Sequence, residues 1–186
     1  MKIKLTITVV LVIIIAVAWN YYPKPYTKNL NGVYYQLGNE EVREQIKMRI
    51  DGRLRNPLFG KTRFDGTVEF EGEEVPRVPE DRGELELWFE DGYGSVVSFG
   101  RTRADGVLEP SIYYYGTVYS DNDFSQFTIA VYSRDTEDED RGSWSAADGL
   151  MITAPAEDRE QALKINQQLF NQYEKNGNSF IYDPSE

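Results

Sequence analysis

Among 186 residues there is no histidine and no cysteine, so any chemistry must come from carboxylates, amines, hydroxyls and aromatic faces. Missing histidine removes the usual general base, the Ser-His and Cys-His nucleophile pairs and the commonest zinc ligand together. Missing cysteine leaves no disulfide staple, although an exported protein is often permitted one. One hydrolytic route survives these losses, because a glycosidase works with two carboxyl groups alone. The chain has 31 Asp and Glu residues, and nothing in their spacing selects a pair.

Three other constellations invite a functional reading. Gly60-Lys61-Thr62 ends like a phosphate-binding loop, whose amides cradle phosphate while lysine and hydroxyl serve phosphate and magnesium. The first glycine of that pattern is replaced by Arg55, which favours a plain loop between strands. Asp135, Glu137, Asp138, Glu139 and Asp140, together with the Asp121-Asn122-Asp123 turn, offer oxygen ligands of the kind Ca²⁺ takes, but without EF-hand spacing. The bland alternative is a solvated acidic loop screened by salt. Trp88, Tyr113-Tyr114-Tyr115, Tyr119 and Trp144 could stack on a sugar or an extended peptide. Alternate members of a tyrosine run on a strand must face opposite sides of the sheet, so at least one side is expected to be core.

The elements that would position these residues are mostly strands. Ile46, Met48 and Ile50 alternate with basic residues, Val68 and Phe70 with glutamates, and Leu85, Leu87 and Phe89 with charged or aromatic neighbours. Asp-Gly recurs at 51–52, 65–66, 91–92, 105–106 and 148–149, a dipeptide suited to turns that require positive φ. The spacing predicts a hairpin turning at Asp91-Gly92 toward Phe99. It predicts another hairpin from Ile112–Tyr119 to Phe124–Tyr132, then a strand at Leu150–Ala154. Over 157–175 the period becomes helical, with Ala162, Ile165, Leu169 and Tyr173 on one face, Leu163 and Phe170 beside it, and Asn176-Gly177 as a C-cap.

At the start, Leu5 to Tyr22 carry no charge, and thirteen of the fifteen residues from Leu5 to Trp19 are apolar. This pattern predicts a membrane-spanning helix, with Lys2 and Lys4 before it and an aromatic belt of Trp19, Tyr21 and Tyr22 ahead of Pro23 and Pro25. The rival expectation is a secretory signal cleaved near Ala18, after Ala16-Val17-Ala18. Domain limits follow: 1–22 as anchor or signal, 23–41 as juxtamembrane linker, and 42–186 as a β-rich exported domain. The four lysines of residues 1–28 have no acid among them, so the remainder holds 16 basic against 31 acidic residues, a net charge of −15. Such a surface disfavours nucleic acid, whose binding rests on basic groups that displace counterions.

Ile50-Asp51-Gly52, Pro57-Leu58-Phe59-Gly60, Phe64-x-Gly66 and Gly149-Leu150-Met151-Ile152-x-Ala154-Pro155 give the chain a resemblance to uncharacterised bacterial single-span proteins with a β-rich exported domain. The similarity covers most of residues 42–170 in ordering and implies no activity or functional residues. The expected fold is α+β: an N-terminal transmembrane helix, a mainly antiparallel sheet or partly closed barrel, and one C-terminal helix. The expected function is a membrane-anchored extracytoplasmic binding or structural module without catalysis. Its partners would be the bilayer through residues 5–22 and an envelope protein or polysaccharide. A carbohydrate-active enzyme of the cell envelope using paired carboxylates is the alternative. No residue is assigned a catalytic, cofactor-binding or metal-binding role, and no cofactor is expected.

Overall fold

The computed structural model describes residues 2–55, 57–58, 61–121, 123–134, 140 and 142–175, and the side chains of all these except 2–6 and 42. Eight strands follow helix α1 (Lys2–Tyr21). They are β1 (Lys24–Gln36), β2 (Asn39–Arg55), β3 (Arg63–Glu71), β4 (Glu86–Glu90), β5 (Tyr93–Thr102), β6 (Leu108–Ser120), β7 (Phe127–Val131) and β8 (Leu150–Ala154). Helix α2 (Arg159–Lys175) comes last. Each strand pairs antiparallel with the next, and β8 returns to β1, so the sheet is a closed barrel in sequence order. Closure leaves the ladder without an edge. Residues 24–36, read from the sequence as linker, form β1 and pair along their whole length with β2.

Strand alternation places one face inside. Tyr34, Ile46, Met48, Ile50, Phe64, Val68, Leu87, Phe89, Ile129 and Ile152 belong to one buried cluster, two or four residues apart where they share a strand. The barrel is therefore filled by its own side chains. At one end the loop between β6 and β7 folds inward at Phe124, which holds φ at 53°. Asp121 supports that unusual backbone: its Oδ1 accepts the Ser125 and Gln126 amides at 2.6 and 3.1 Å, and its Oδ2 accepts the Ser125 hydroxyl at 2.6 Å. Phe124 then stacks on Phe64 at 4.6 Å, meets Phe127 edge-on at 4.6 Å, and offers its carbonyl to the Tyr26 hydroxyl.

Burial, reinforced by the charge of Asp121, pushes the Tyr26 phenol up to about 12. Burial also raises Tyr34, Tyr113, Tyr115 and Tyr119. A folded value above the unfolded one means that the native state holds its proton longer. The stabilisation is complete below the unfolded tyrosine value near pH 10 and is lost as pH rises through the folded value. Alkaline unfolding is therefore expected from about pH 10 upward. Ultraviolet phenolate absorbance and circular dichroism should change together there, whereas early, independent ionisation of these tyrosines would contradict the burial.

Helix α2 covers the outer face of β7, β8, β1 and β6 with Ala162, Ile165, Leu169 and Phe170. Its start is fixed by Asp158 Oδ1, which accepts the Gln161 amide at 2.8 Å, while Gln161 Oε1 accepts the Glu157 amide at 2.8 Å. This reciprocal arrangement satisfies amides that the helix itself cannot. The expected face is present, with Phe170 buried and Tyr173 at its rim. The expected Asn176-Gly177 cap lies outside the described residues.

Two expectations about the chain start and the turns are corrected. The predicted transmembrane helix is not supported: among the described residues no helix is long and apolar enough to cross a membrane. With it goes the basis for a bilayer partner through residues 5–22 and for a single-pass location. Large apolar side chains from Ile7 to Val17 are exposed along α1, and Asn20 near its end accepts the Leu58 amide at 2.9 Å.

Asp51-Gly52 and Asp65-Gly66 are not turns. They lie inside β2 and β3, where Gly52 and Gly66 face one another across the ladder. A Cβ on either would meet the Phe64 ring at 2.6 or 2.7 Å, so the glycine pair makes room for that ring. Asp91-Gly92 does turn the β4–β5 hairpin, with φ values of 58° and 105° that match a primed turn.

Candidate functional site

The outer face of β3, β4 and β5 carries what the interior cannot use. Register sets Asp65 opposite Trp88 and Thr67 opposite Glu86, while Trp88 also faces Ser95 on β5. Because strand side chains alternate, Glu86 and Trp88 point the same way and their neighbours Leu87 and Phe89 enter the core. Trp88 is 47% exposed, large for an indole. Its Nε1–H donates to Glu86 Oε2 at 3.0 Å, and Phe99 meets it edge-on at 6.3 Å and 77°. Glu86 and Phe99 thus fix the ring while about half of it stays open to solvent.

Trp88 separates two grooves. One, of about 510 Å³, lies against Asp65, Thr67, Glu84, Glu86 and Phe99. The other, of about 520 Å³, lies against Lys61, Arg63, Glu90, Asp91 and Tyr93. In the second groove opposite charges meet: Lys61 lies 3.7 Å from Glu90 and 3.6 Å from Asp91, and Arg63 lies 3.3 Å from Glu90. In the first groove the charged groups among the described residues are all carboxylates. Close strand approach keeps the second groove open beside Trp88, since a Cβ on Gly94 would fall 1.9 Å from the Trp88 carbonyl oxygen.

Glu84 reaches the first groove from the segment 72–85, which is firmly tied down. The Glu44 carboxylate accepts the amides of Glu73 at 2.5 Å and Glu74 at 2.9 Å. Val75 and Leu85 enter the core, and the Ser98 hydroxyl donates to the Gly83 carbonyl at 2.9 Å. Arg82, almost fully buried, donates to Ser111 and Asp140. Asp81 accepts from Arg101 Nε at 2.5 Å.

The aromatic residues singled out in the sequence do not converge. Tyr113 and Tyr115 lie inside the barrel, Tyr115 stacking on Phe70 at 5.5 Å, and Tyr119 is buried beneath α2 against Phe170. Trp144 donates Nε1–H to the Leu150 carbonyl at 3.2 Å and packs beside Phe170. Arg134 stands 3.9 Å over the Tyr113 ring. Only Trp88 of this set is at the site. Asp121 serves its own loop, and the acids at 135–139 lie outside the described residues. Gly60 does also, while Lys61 pairs with acids rather than lining a phosphate cradle. Among the described residues no group of three or more metal-ligating side chains converges.

The residues that sequence reasoning left out are Asp65, Glu84, Glu86 and Phe99. The Glu86-x-Trp88 spacing places two side chains on one strand face, a signal available from the sequence. What was missing was the register that brings Asp65 opposite Trp88. No family model, no curated protein and no solved structure matches the chain. The resemblance to bacterial single-span proteins is therefore corrected: what stands is a closed antiparallel β-barrel with a C-terminal helix, and among the described residues no helix is long and apolar enough to cross a membrane.

Proposed function

We propose that the protein is carbohydrate-active, with a saccharide lying on Trp88 and Asp65 and Glu86 as the working carboxylates. The observation that carries this reading is the half-exposed indole held by Glu86 and Phe99 beside a groove lined with acids. Sugar rings have apolar faces that stack on such a surface, and their hydroxyls donate readily to carboxylates. The expected anchored, non-catalytic module is replaced by this reading, because its anchor is not supported.

Asp65 and Glu86 are diagonal neighbours across the β3–β4 ladder, for which Cβ separations of about 7 Å are usual. Two carboxyl groups on facing strands are the equipment with which a glycosidase works. One carboxylic acid would protonate the departing glycosidic oxygen while the other carboxylate takes a proton from the attacking water. The new carbon–oxygen bond forms as the glycosidic bond breaks.

Calorimetric titration with a panel of oligosaccharides tests the binding half. Wild-type protein should give saturable heat with at least one of them, and Trp88→Ala should weaken that binding at least about tenfold, as loss of a central aromatic contact does. Since the indole is exposed, circular dichroism of the variant should match wild type. Absence of heat across the panel would overturn the reading. For the hydrolytic half, reducing ends released from the bound oligosaccharide should vanish in Asp65→Asn and Glu86→Gln. Binding without release would remove hydrolysis and leave recognition.

A further inference from the structure

Resting on the carbohydrate reading of the same groove, we infer that the preferred saccharide carries amino groups protonated at neutral pH. Glu84 and Glu86 line this groove from one extended run that leads along β4 to Trp88, and Asp65 lines it from the neighbouring β3, so negative charge reaches the stacking position from two adjacent strands. Among the described residues no lysine or arginine lines it. Across Trp88, Lys61 and Arg63 are held by Glu90 and Asp91 and face the other groove. Arg53 is the register partner of Asp65 on β2, but among the described residues neither Asp65 nor Glu84 has an ion-pair partner within 4 Å. The whole chain, at −11, adds a field of the same sign.

These charges rank the sugars. An acidic saccharide is repelled, and a neutral one gains only stacking and ordinary hydrogen bonds. An ammonium group gains charge-assisted hydrogen bonds to carboxylates, which are shorter and stronger, and it is further attracted by the face of the indole. Glu86 can take part because its Oε1 is not the atom bonded to Trp88.

Oligomers of glucosamine, of N-acetylglucosamine and of galacturonic acid, matched in length, provide the test by titration calorimetry on the full chain. At low salt the glucosamine oligomer should bind about tenfold more tightly than its acetylated counterpart, the preference expected from a few exposed charge pairs acting together. It should fade in high salt, and the galacturonate should give no heat. Glu84→Gln should narrow the ratio between aminated and acetylated oligomers about twofold to fivefold. Equal affinity for the aminated and acetylated oligomers, or a preference unchanged by salt and by the triple variant Asp65→Asn, Glu84→Gln, Glu86→Gln, would overturn the inference while leaving the carbohydrate reading standing. Failure of every oligomer to bind would instead sink the reading beneath it.

Discussion

Phe64→Ala is expected to lower the unfolding free energy by about 3 to 5 kcal/mol, the range for truncating a buried phenylalanine. Phe64 is 1% exposed and stacks on Phe124 at 4.6 Å, with Tyr26 edge-on at 5.8 Å. Its ring also lies over the Gly52–Gly66 pair, where two missing side chains leave nothing able to refill the space. The barrel wall is fixed by hydrogen bonds on both sides of β3, so collapse around the void is limited. Urea unfolding followed by tryptophan fluorescence and circular dichroism measures the loss. A change below about 1 kcal/mol would mean that Phe64 does not occupy the interior.

Gly66→Ala should be comparably severe for the opposite reason, overfilling. A Cβ there would lie 2.2 Å from the Asp51 carbonyl oxygen and 2.6 Å from Gly52 Cα, both backbone atoms that cannot step aside without parting β2 from β3. A loss of about 3 kcal/mol or more is expected, at the upper end for strain in a packed interior. Gly106→Ala is the control. Nothing lies within 4 Å of its Cβ position, so only its φ of 81° resists the substitution, at a cost of about 1 to 2 kcal/mol. Combining Gly66→Ala with Phe64→Ala tests the shared space, because the Phe64 ring is one of the three obstructions and the two losses should sum to less than their separate values. Equal tolerance of Gly66→Ala and Gly106→Ala would contradict the β2–β3 register.

These two residues show how far the sequence could be read. Alternation in Ile46, Met48 and Ile50 and the period of α2 were legible because burial on one face leaves a regular pattern. Asp91-Gly92 was legible because its neighbours on both sides alternate. The same dipeptide at 51–52 and 65–66 was misleading: glycine serves close approach of side chains as well as positive φ, and only the partner strand tells which. Lys24–Gln36 looked like a linker because its polar residues face outward along the early part of β1, with continuous burial only at Gly32 to Tyr35. The apolar start carried a membrane reading that composition favoured, whereas among the described residues no helix is long and apolar enough to cross a membrane.

The site was legible only in part. Trp88 stood out as an aromatic residue, whereas its acidic neighbours come from two separate stretches of chain and are indistinguishable in one dimension from the other acids. The tyrosine run drew attention because of its composition, but Tyr113 and Tyr115 have core positions. Charge alone could not separate a binding groove from a solvated face. Pairing could, since it shows which acids already have basic partners.

The chain has three tryptophans, Trp19, Trp88 and Trp144, so its indole N–H signals in a heteronuclear magnetic resonance spectrum are few enough to assign by substitution. Following them while glucosamine oligomer is added tests the central claim, that ligand meets the outer face of β3–β5, most directly. The Trp88 signal should move and saturate, because its Nε1–H is bonded to one of the groove carboxylates, while Trp144, bonded to Leu150, stays in place. Movement of Trp19 or Trp144 with Trp88 unchanged would contradict the account.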